Sequence, residues 1–241
     1  MIERHLDIAT DHGAMNSFVV HPDEGGPHPV VLFYMDAPGF REELRDMARR
    51  LASAGYCVVL PNLYYRVSRD FWLRERTEEG LAHMFKLMAT LDRRTTEVDT
   101  RAMLAFVDAL PAADARRVGA VGYCMSGPFV VWAAAAFPDR LACIAAIHGA
   151  NMATDAPDSP HRAVERIRCE AYVGCAEIDK WAPPADIEAF EGGLRRASVP
   201  YRIEWYPKLE HGFVFPLRAC YDKSGSERHW ERLHALFRRR L

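Results

Sequence analysis

Gly122-Tyr123-Cys124-Met125-Ser126-Gly127 stands between an apolar run, 117–121, and a helix-forming run, 128–137. The pattern reads as a strand, a very tight turn and a helix. A glycine two residues before Cys124 and the small Ser126 two residues after it let the backbone turn sharply enough to present a reactive side chain at the strand tip. At the start of a helix, unpaired N–H groups and the positive end of the dipole favour thiolate over thiol and stabilise an oxyanion. The turn therefore marks Cys124 as a candidate nucleophile. The competing reading is packing, because free cysteine behaves as a small hydrophobe and six cysteines occur in this chain. The surroundings decide between the two.

Along the chain, strand and helix patterns alternate. Residues 6–9 and 17–20, separated by Asp11-His12-Gly13, read as an antiparallel hairpin at a sheet edge. Residues 30–35 form a continuous apolar run suited to a strand buried on both faces. In 41–54, Leu44, Met47, Ala48 and Leu51 fall at helical spacing, and Gly55 is a good left-handed stop. Residues 56–60 are the next strand. The stretch 68–110 reads as mostly helical, with Phe71 to Leu91 on a first helix and a second starting at Thr95 or Thr96. Strands are expected at 117–121, 141–147, 169–174 and 201–205, with helices at 183–197 and 226–239. Such alternation implies a mostly parallel central sheet with helices on both faces and an N-terminal antiparallel hairpin.

A length of 241 residues with 49% hydrophobic content suits a single α/β domain over 1–241. A net charge of −2 lacks the basic footprint that nucleic-acid binding needs. The opening MIERHLDIATDHG has neither the basic nor the apolar region of a secretory signal, so a cytoplasmic location is expected. The apolar stretch 120–137 approaches membrane-spanning length, but Gly122, Ser126, Gly127 and Pro128 interrupt it, which makes it core. Cysteines 57, 124, 143, 169, 175 and 220 show neither C-x-x-C nor zinc spacing, so reduced thiols and no metal or organic cofactor are expected.

A cysteine nucleophile for acyl transfer needs a base within reach and a carboxylate to orient that base. Loops at the C-terminal strand ends supply them in a parallel sheet. Asp179 lies five residues beyond 169–174, and His211 lies six beyond Trp205, just before a glycine. The order Cys124, Asp179, His211 is the nucleophile–acid–histidine order of α/β-hydrolases. Ten histidines are present, and His148, which also follows an apolar strand, is the leading rival for the base. Glu177 and Asp186 compete with Asp179.

These stretches resemble the dienelactone hydrolase family of the α/β-hydrolase fold. The resemblance runs through VVLFYMDAPGFREELRDMARRLASAGYCVVLPNLYYR, VGAVGYCMSG, VGCAEIDKWAPP and EHGFVFP, and so covers most of the chain. It implies Cys124 as nucleophile, His211 as base, Asp179 as orienting acid, and an oxyanion hole from the N–H groups of Met125 and Ala37. It implies Asp36, where the best-known members carry glutamate, as a partner for the resting thiol. The chain departs from the family at Ser126, where glycine is usual. It also lacks an arginine shortly after the histidine, where Gly212, Phe213, Val214 and Phe215 stand; Arg66, Arg74 and Arg76 are candidates for a substitute charge, although exposed solvated arginine is the ordinary reading of each. Tyr64, Tyr65, Trp72, Phe213 and Phe215 are candidates for an apolar pocket, plain core being the ordinary reading.

The expected activity is hydrolysis of small activated esters or enol lactones. Broad carboxylesterase or thioesterase activity and a non-catalytic binding protein on the same fold are the alternatives, since fold alone does not fix function.

Overall fold

The turn at Asp11-His12-Gly13 sends the chain back along itself. β1 (Ile2–Thr10) and β2 (Gly13–His21) pair antiparallel from Ile2↔His21 to Thr10↔Gly13. The computed structural model describes all residues 1–241, and its contacts divide them into two units, Met1–Arg116 and Arg117–Leu241.

In the first unit β1 is the edge strand and is largely exposed. β2 pairs antiparallel with β4 (Cys57–Pro61), and β4 pairs parallel with β3 (His28–Tyr34). Every residue of β4 and all of β3 but Pro29 are buried, as a continuous apolar run requires. Helix α1 (Glu42–Ser53) buries Leu44, Met47, Ala48 and Leu51, and the chain leaves it through Gly55 at φ +104°. The region 68–110 departs from the expected pattern. Its first stretch is not helical: Trp72 bridges to Gly39, and the Leu73 N–H donates to the Pro38 carbonyl at 2.8 Å. Helix begins only at α2 (Glu78–Met88), where the Thr77 side chain accepts from Gly80. α3 (Arg93–Asp108) starts two or three residues before the expected Thr95 or Thr96, because Asp92 and Thr95 form a capping box. The Tyr34 hydroxyl and Thr100 Oγ1 lie 2.7 Å apart and tie β3 to α3.

The second unit, which begins within β5 (Ala113–Tyr123), holds a parallel run of β5 from Arg117 on, β6 (Leu141–Ile147), β7 (Glu170–Ile178) and β8 (Tyr201–Glu210) in that spatial order. α4 (Gly127–Ala136) follows β5, α5 (Pro160–Ala163) is a single turn after β6, α6 (Pro184–Arg196) precedes β8, and α7 (Lys223–Arg240) closes the chain. Gly119 and Gly122 of β5 are an odd number of residues apart and so face opposite ways. A Cβ on Gly119 would meet Phe237 of α7 at 3.0 Å, and one on Gly122 would meet Val130 of α4 at the same distance, so helices cover both faces of this strand.

Two strands run longer than the sequence pattern predicts. β7 continues to Ile178 and β8 to Glu210, so Asp179 and His211 follow directly on paired neighbours rather than lying several residues out in loops. The ladder is regular to Ala176↔Tyr206 and resumes at Ile178↔Glu210, with one residue of β7, Glu177, against three of β8, 207–209. Lys208, at φ +62°, sits in the resulting bulge, and its N–H donates to Glu177 Oε2 at 2.6 Å.

Candidate active site

Cys124 follows β5 directly and adopts φ +56°, a left-handed conformation that costs a non-glycine residue about 1–3 kcal/mol. Its carbonyl accepts the Ala150 N–H at 2.9 Å, and a short 3₁₀ turn, Cys124–Ser126, leads into α4. The surroundings force the turn to stay tight. A Cβ at Gly122 would lie 2.2 Å from the Ser126 carbonyl oxygen, and one at Gly127 would lie 2.5 Å from the Cα of Gly149. The steric demand thus falls on positions 122 and 127, and Ser126, itself fully buried, is accommodated.

Asp179 and His211 meet across the ends of β7 and β8. His211 Nδ1 donates to Asp179 Oδ2 at 2.6 Å, while Asp179 Oδ1 accepts the Trp181 N–H at 2.9 Å. The aspartate side chain is 1% exposed and the histidine side chain 13%. The His211 backbone is held on both sides: its N–H donates to Ile178, and its carbonyl accepts from the Cys220 thiol at 3.4 Å. Burial disfavours charge on His211, but hydrogen bonding to Asp179 and the adjacent Cys124 sulfur outweigh it and raise the imidazole from 6.5 to about 9. Nε2 makes no hydrogen bond of ordinary geometry, so the sulfur acts on the ring by proximity and charge rather than through a well-aligned bond.

The rivals occupy other roles. His148 is fully buried at φ +37°; neither ring nitrogen has a hydrogen-bond partner, and the ring packs edge-on against His211 with centroids 4.7 Å apart. Burial, and then the charge of His211, hold it well below the usual imidazole range. Glu177 closes the β8 bulge, and Asp186 lies in the first turn of α6.

Phe213 and Phe215 are core rather than pocket lining. They are fully buried, Phe213 against Tyr206 and Phe215 against Tyr123, and both meet the His148 ring edge to face. An arginine does return to the histidine loop from further along the chain. Arg218 lies over the Phe215 ring, and its Nη1 would be 2.3 Å from a Cβ on Gly212. It lies seven residues beyond His211 in the sequence, outside the residues that adjoin the histidine. The successive backbone bonds Phe215→Gly212 and Arg218→Phe215 coil the loop back.

In the first unit, Asp36 and Ala37 follow β3. Asp36 is fully buried, and both its carboxylate oxygens accept from Arg41, which also binds Glu43. Arg66 is not a solvated arginine: it makes a two-pronged ion pair with the buried Asp99. Arg74 lies over Trp72.

Comparison with known proteins adds four findings. The model of the dienelactone hydrolase family matches residues 15–241. A Synechocystis sp. relative, described as a "putative carboxymethylenebutenolidase", is 28% identical over 227 residues, covering 93% of this chain and 91% of its own. Among solved structures, a Klebsiella pneumoniae "putative dienelactone hydrolase" superposes with TM-score 0.87 at 24% identity over 98% of each chain. The Anabaena variabilis dienelactone hydrolase reaches 0.72 at 15% identity, covering 100% of this chain and 98% of that one. The architecture is the α/β-hydrolase fold.

Proposed function

This chain belongs to the dienelactone hydrolase family, and from that premise we propose that it hydrolyses small activated esters or enol lactones through Cys124, His211 and Asp179. The observation that carries the reading is the 2.6 Å bond between Asp179 and His211, formed in the same unit as the Cys124 turn and with the Cys124 sulfur influencing the ring. Cys124 Sγ, having passed its proton to His211 Nε2, attacks the substrate carbonyl carbon, and the π pair moves to oxygen. The Met125 and Ala37 N–H groups are the donors assigned to that oxyanion. When the carbonyl re-forms, the C–O bond to the leaving group breaks, and the departing oxygen takes the proton from His211. Water, deprotonated by His211, then attacks the thioester; the C–S bond breaks, the acid leaves, and the thiolate recovers its proton.

Asp179 holds the ring in the tautomer and orientation this sequence needs, with Nδ1–H turned to the carboxylate. Its oxygens accept from His211 and from the Trp181 amide, an arrangement suited to a fixed anion. Both Asp36 carboxylate oxygens are engaged by Arg41, and no proton-transfer step is assigned to it. Arg218 brings a positive charge to the histidine loop, which favours substrates carrying a carboxylate over neutral ones.

The test is hydrolysis of a panel of aryl esters, enol lactones and acyl thioesters by the wild type and Cys124→Ala, with iodoacetamide labelling in parallel. Loss of turnover in Cys124→Ala and rapid labelling confined to Cys124 in the wild type are expected. Turnover that survives the substitution refutes the mechanism, and uniform slow labelling of all six cysteines favours a non-catalytic binding protein.

A further inference from the structure

Four consecutive carbonyl groups after β3 are each held by a different donor. The Asp36 carbonyl accepts the Gly39 N–H at 3.1 Å, and that of Pro38 accepts the Leu73 N–H at 2.8 Å. The Ala37 carbonyl accepts the Tyr64 hydroxyl at 2.9 Å, and the Gly39 carbonyl accepts Arg41 Nη1 at 3.1 Å. Among the N–H groups of this segment, Pro38 has none and that of Gly39 closes the turn. The Ala37 N–H, though its residue is 4% exposed, is taken up by no hydrogen bond. A trans peptide is planar, with its C=O and N–H pointing in opposite directions. Since the Asp36 carbonyl is turned inward to Gly39, the Ala37 N–H faces out of the turn.

Such an arrangement runs against the usual economy of a folded chain, in which buried N–H groups find partners. Here every group that could relax to satisfy Ala37 is committed elsewhere. Gly39 sits at φ +96°, and a Cβ on it would come within 2.6 Å of the Phe71 carbonyl oxygen, so its backbone cannot shift to accommodate a side chain. Tyr64 is fully buried, and its own N–H donates to Asn62 Oδ1 at 3.0 Å, which holds the backbone that carries the ring. Arg41 is clamped between Asp36 and Glu43.

We propose that Tyr64 and Arg41 are positioning residues that hold the Ala37 peptide with its N–H unpaired and presented before substrate arrives. The proposal rests on the reading of Ala37 as an oxyanion donor. A donor held in this way needs no reorganisation as charge develops on the substrate oxygen, which is where such groups gain their effect. Tyr64 fixes the peptide plane that follows Ala37, and Arg41, through Asp36 and Gly39, fixes both ends of the turn.

Tyr64→Phe keeps the ring and removes the one hydroxyl. Two reactions of Cys124 then separate the roles. Ester hydrolysis passes through an oxyanion, whereas alkylation by iodoacetamide is displacement at a saturated carbon and forms none. With p-nitrophenyl acetate, kcat should fall about tenfold, a fraction of the loss seen on deleting an oxyanion donor outright. KM and the rate of Cys124 alkylation should stay within about twofold of the wild type, since neither depends on that donor. Arg41→Lys, which retains the charge between Asp36 and Glu43 but not the forked hydrogen bonding, should show the same split and serves if Tyr64→Phe does not fold. Equal loss of hydrolysis and alkylation, a change in KM alone, or unchanged hydrolysis overturns the proposal. Cys124→Ala, assayed beside them, reports separately on the nucleophile: its continued turnover would refute the Cys124 mechanism, whatever Tyr64→Phe does.

Discussion

Replacing His211 with glutamine should flatten the pH dependence of stability above pH 6.5. In the folded protein the imidazole is raised from 6.5 to about 9, so the native state keeps a proton that the unfolded chain has given up. At 1.36 kcal/mol per pKa unit this amounts to about 3 kcal/mol, an upper figure because the Cys124 sulfur shares in the shift. With the side chain only 13% exposed, solvent screening reduces it little. For a group whose pKa is raised on folding, the stabilisation is complete below the unfolded value and disappears as pH climbs through the folded one. The window is therefore pH 6.5 to 9. His28, His148 and His161 are shifted downward, so their contribution is lost as pH falls, on the acid side of that window, and is common to both proteins. Urea unfolding followed by tryptophan fluorescence at pH 6 and pH 9.5, under reducing conditions, measures the difference. The wild type should lose up to about 3 kcal/mol more than His211→Gln between the two pH values. Parallel losses would show that His211 carries no such stabilised proton.

Other outcomes follow from the same geometry. Gly127→Ala places a methyl 2.5 Å from the Cα of Gly149, and should cost about 2–3 kcal/mol in urea unfolding and depress turnover with it; wild-type stability would mean that the contact yields freely. Asp179→Asn should reduce kcat/KM less than His211→Ala, because the carboxylate acts through the ring; the reverse order in steady-state assays would give Asp179 a direct part. Aryl and enol esters should outpace matched alkyl esters, because a thiolate leaves more readily than an alkoxide and an alkyl ester tends to re-form from the tetrahedral intermediate. Equal kcat/KM across such a pair, with acylation rate-limiting, would contradict a sulfur nucleophile.

Local chemistry made much of this molecule readable from its sequence. The glycines around Cys124, the Asp11-His12-Gly13 turn and the apolar spacing of α1 each act within a few residues, and the structure has them where the pattern does. What escaped depends on partners distant in sequence. Phe71 and Leu73 look like the start of a helix, but the backbone around them is engaged by Pro38 and Gly39 from the loop after β3. β8 is a mostly exposed edge strand, so its second half lacks the apolar signal by which strands are recognised, and its true end at Glu210 was hidden. Asp179 and His211 could still be picked out, because their order after the Cys124 turn and the glycine beside the histidine do not depend on where the strands stop. Arg218 was out of reach, since only the coiling of its loop brings it back to Gly212.

The bulge in β8 bears on how this pair could be retuned. Strand residues advance in fixed steps of about 3.3 Å, and a shift of one turns a side chain to the opposite face, so a regular ladder offers only coarse and mostly useless settings for the distance between two groups at its end. Three residues of β8 against one of β7 break that arithmetic just before Glu210. Insertions, deletions or a change of twist at 207–209 can move His211 relative to Asp179 while leaving the pairing from Ala171↔Tyr201 to Ala176↔Tyr206 untouched. The bulge is a vernier: the sheet sets the scale, and a few irregular residues set the reading.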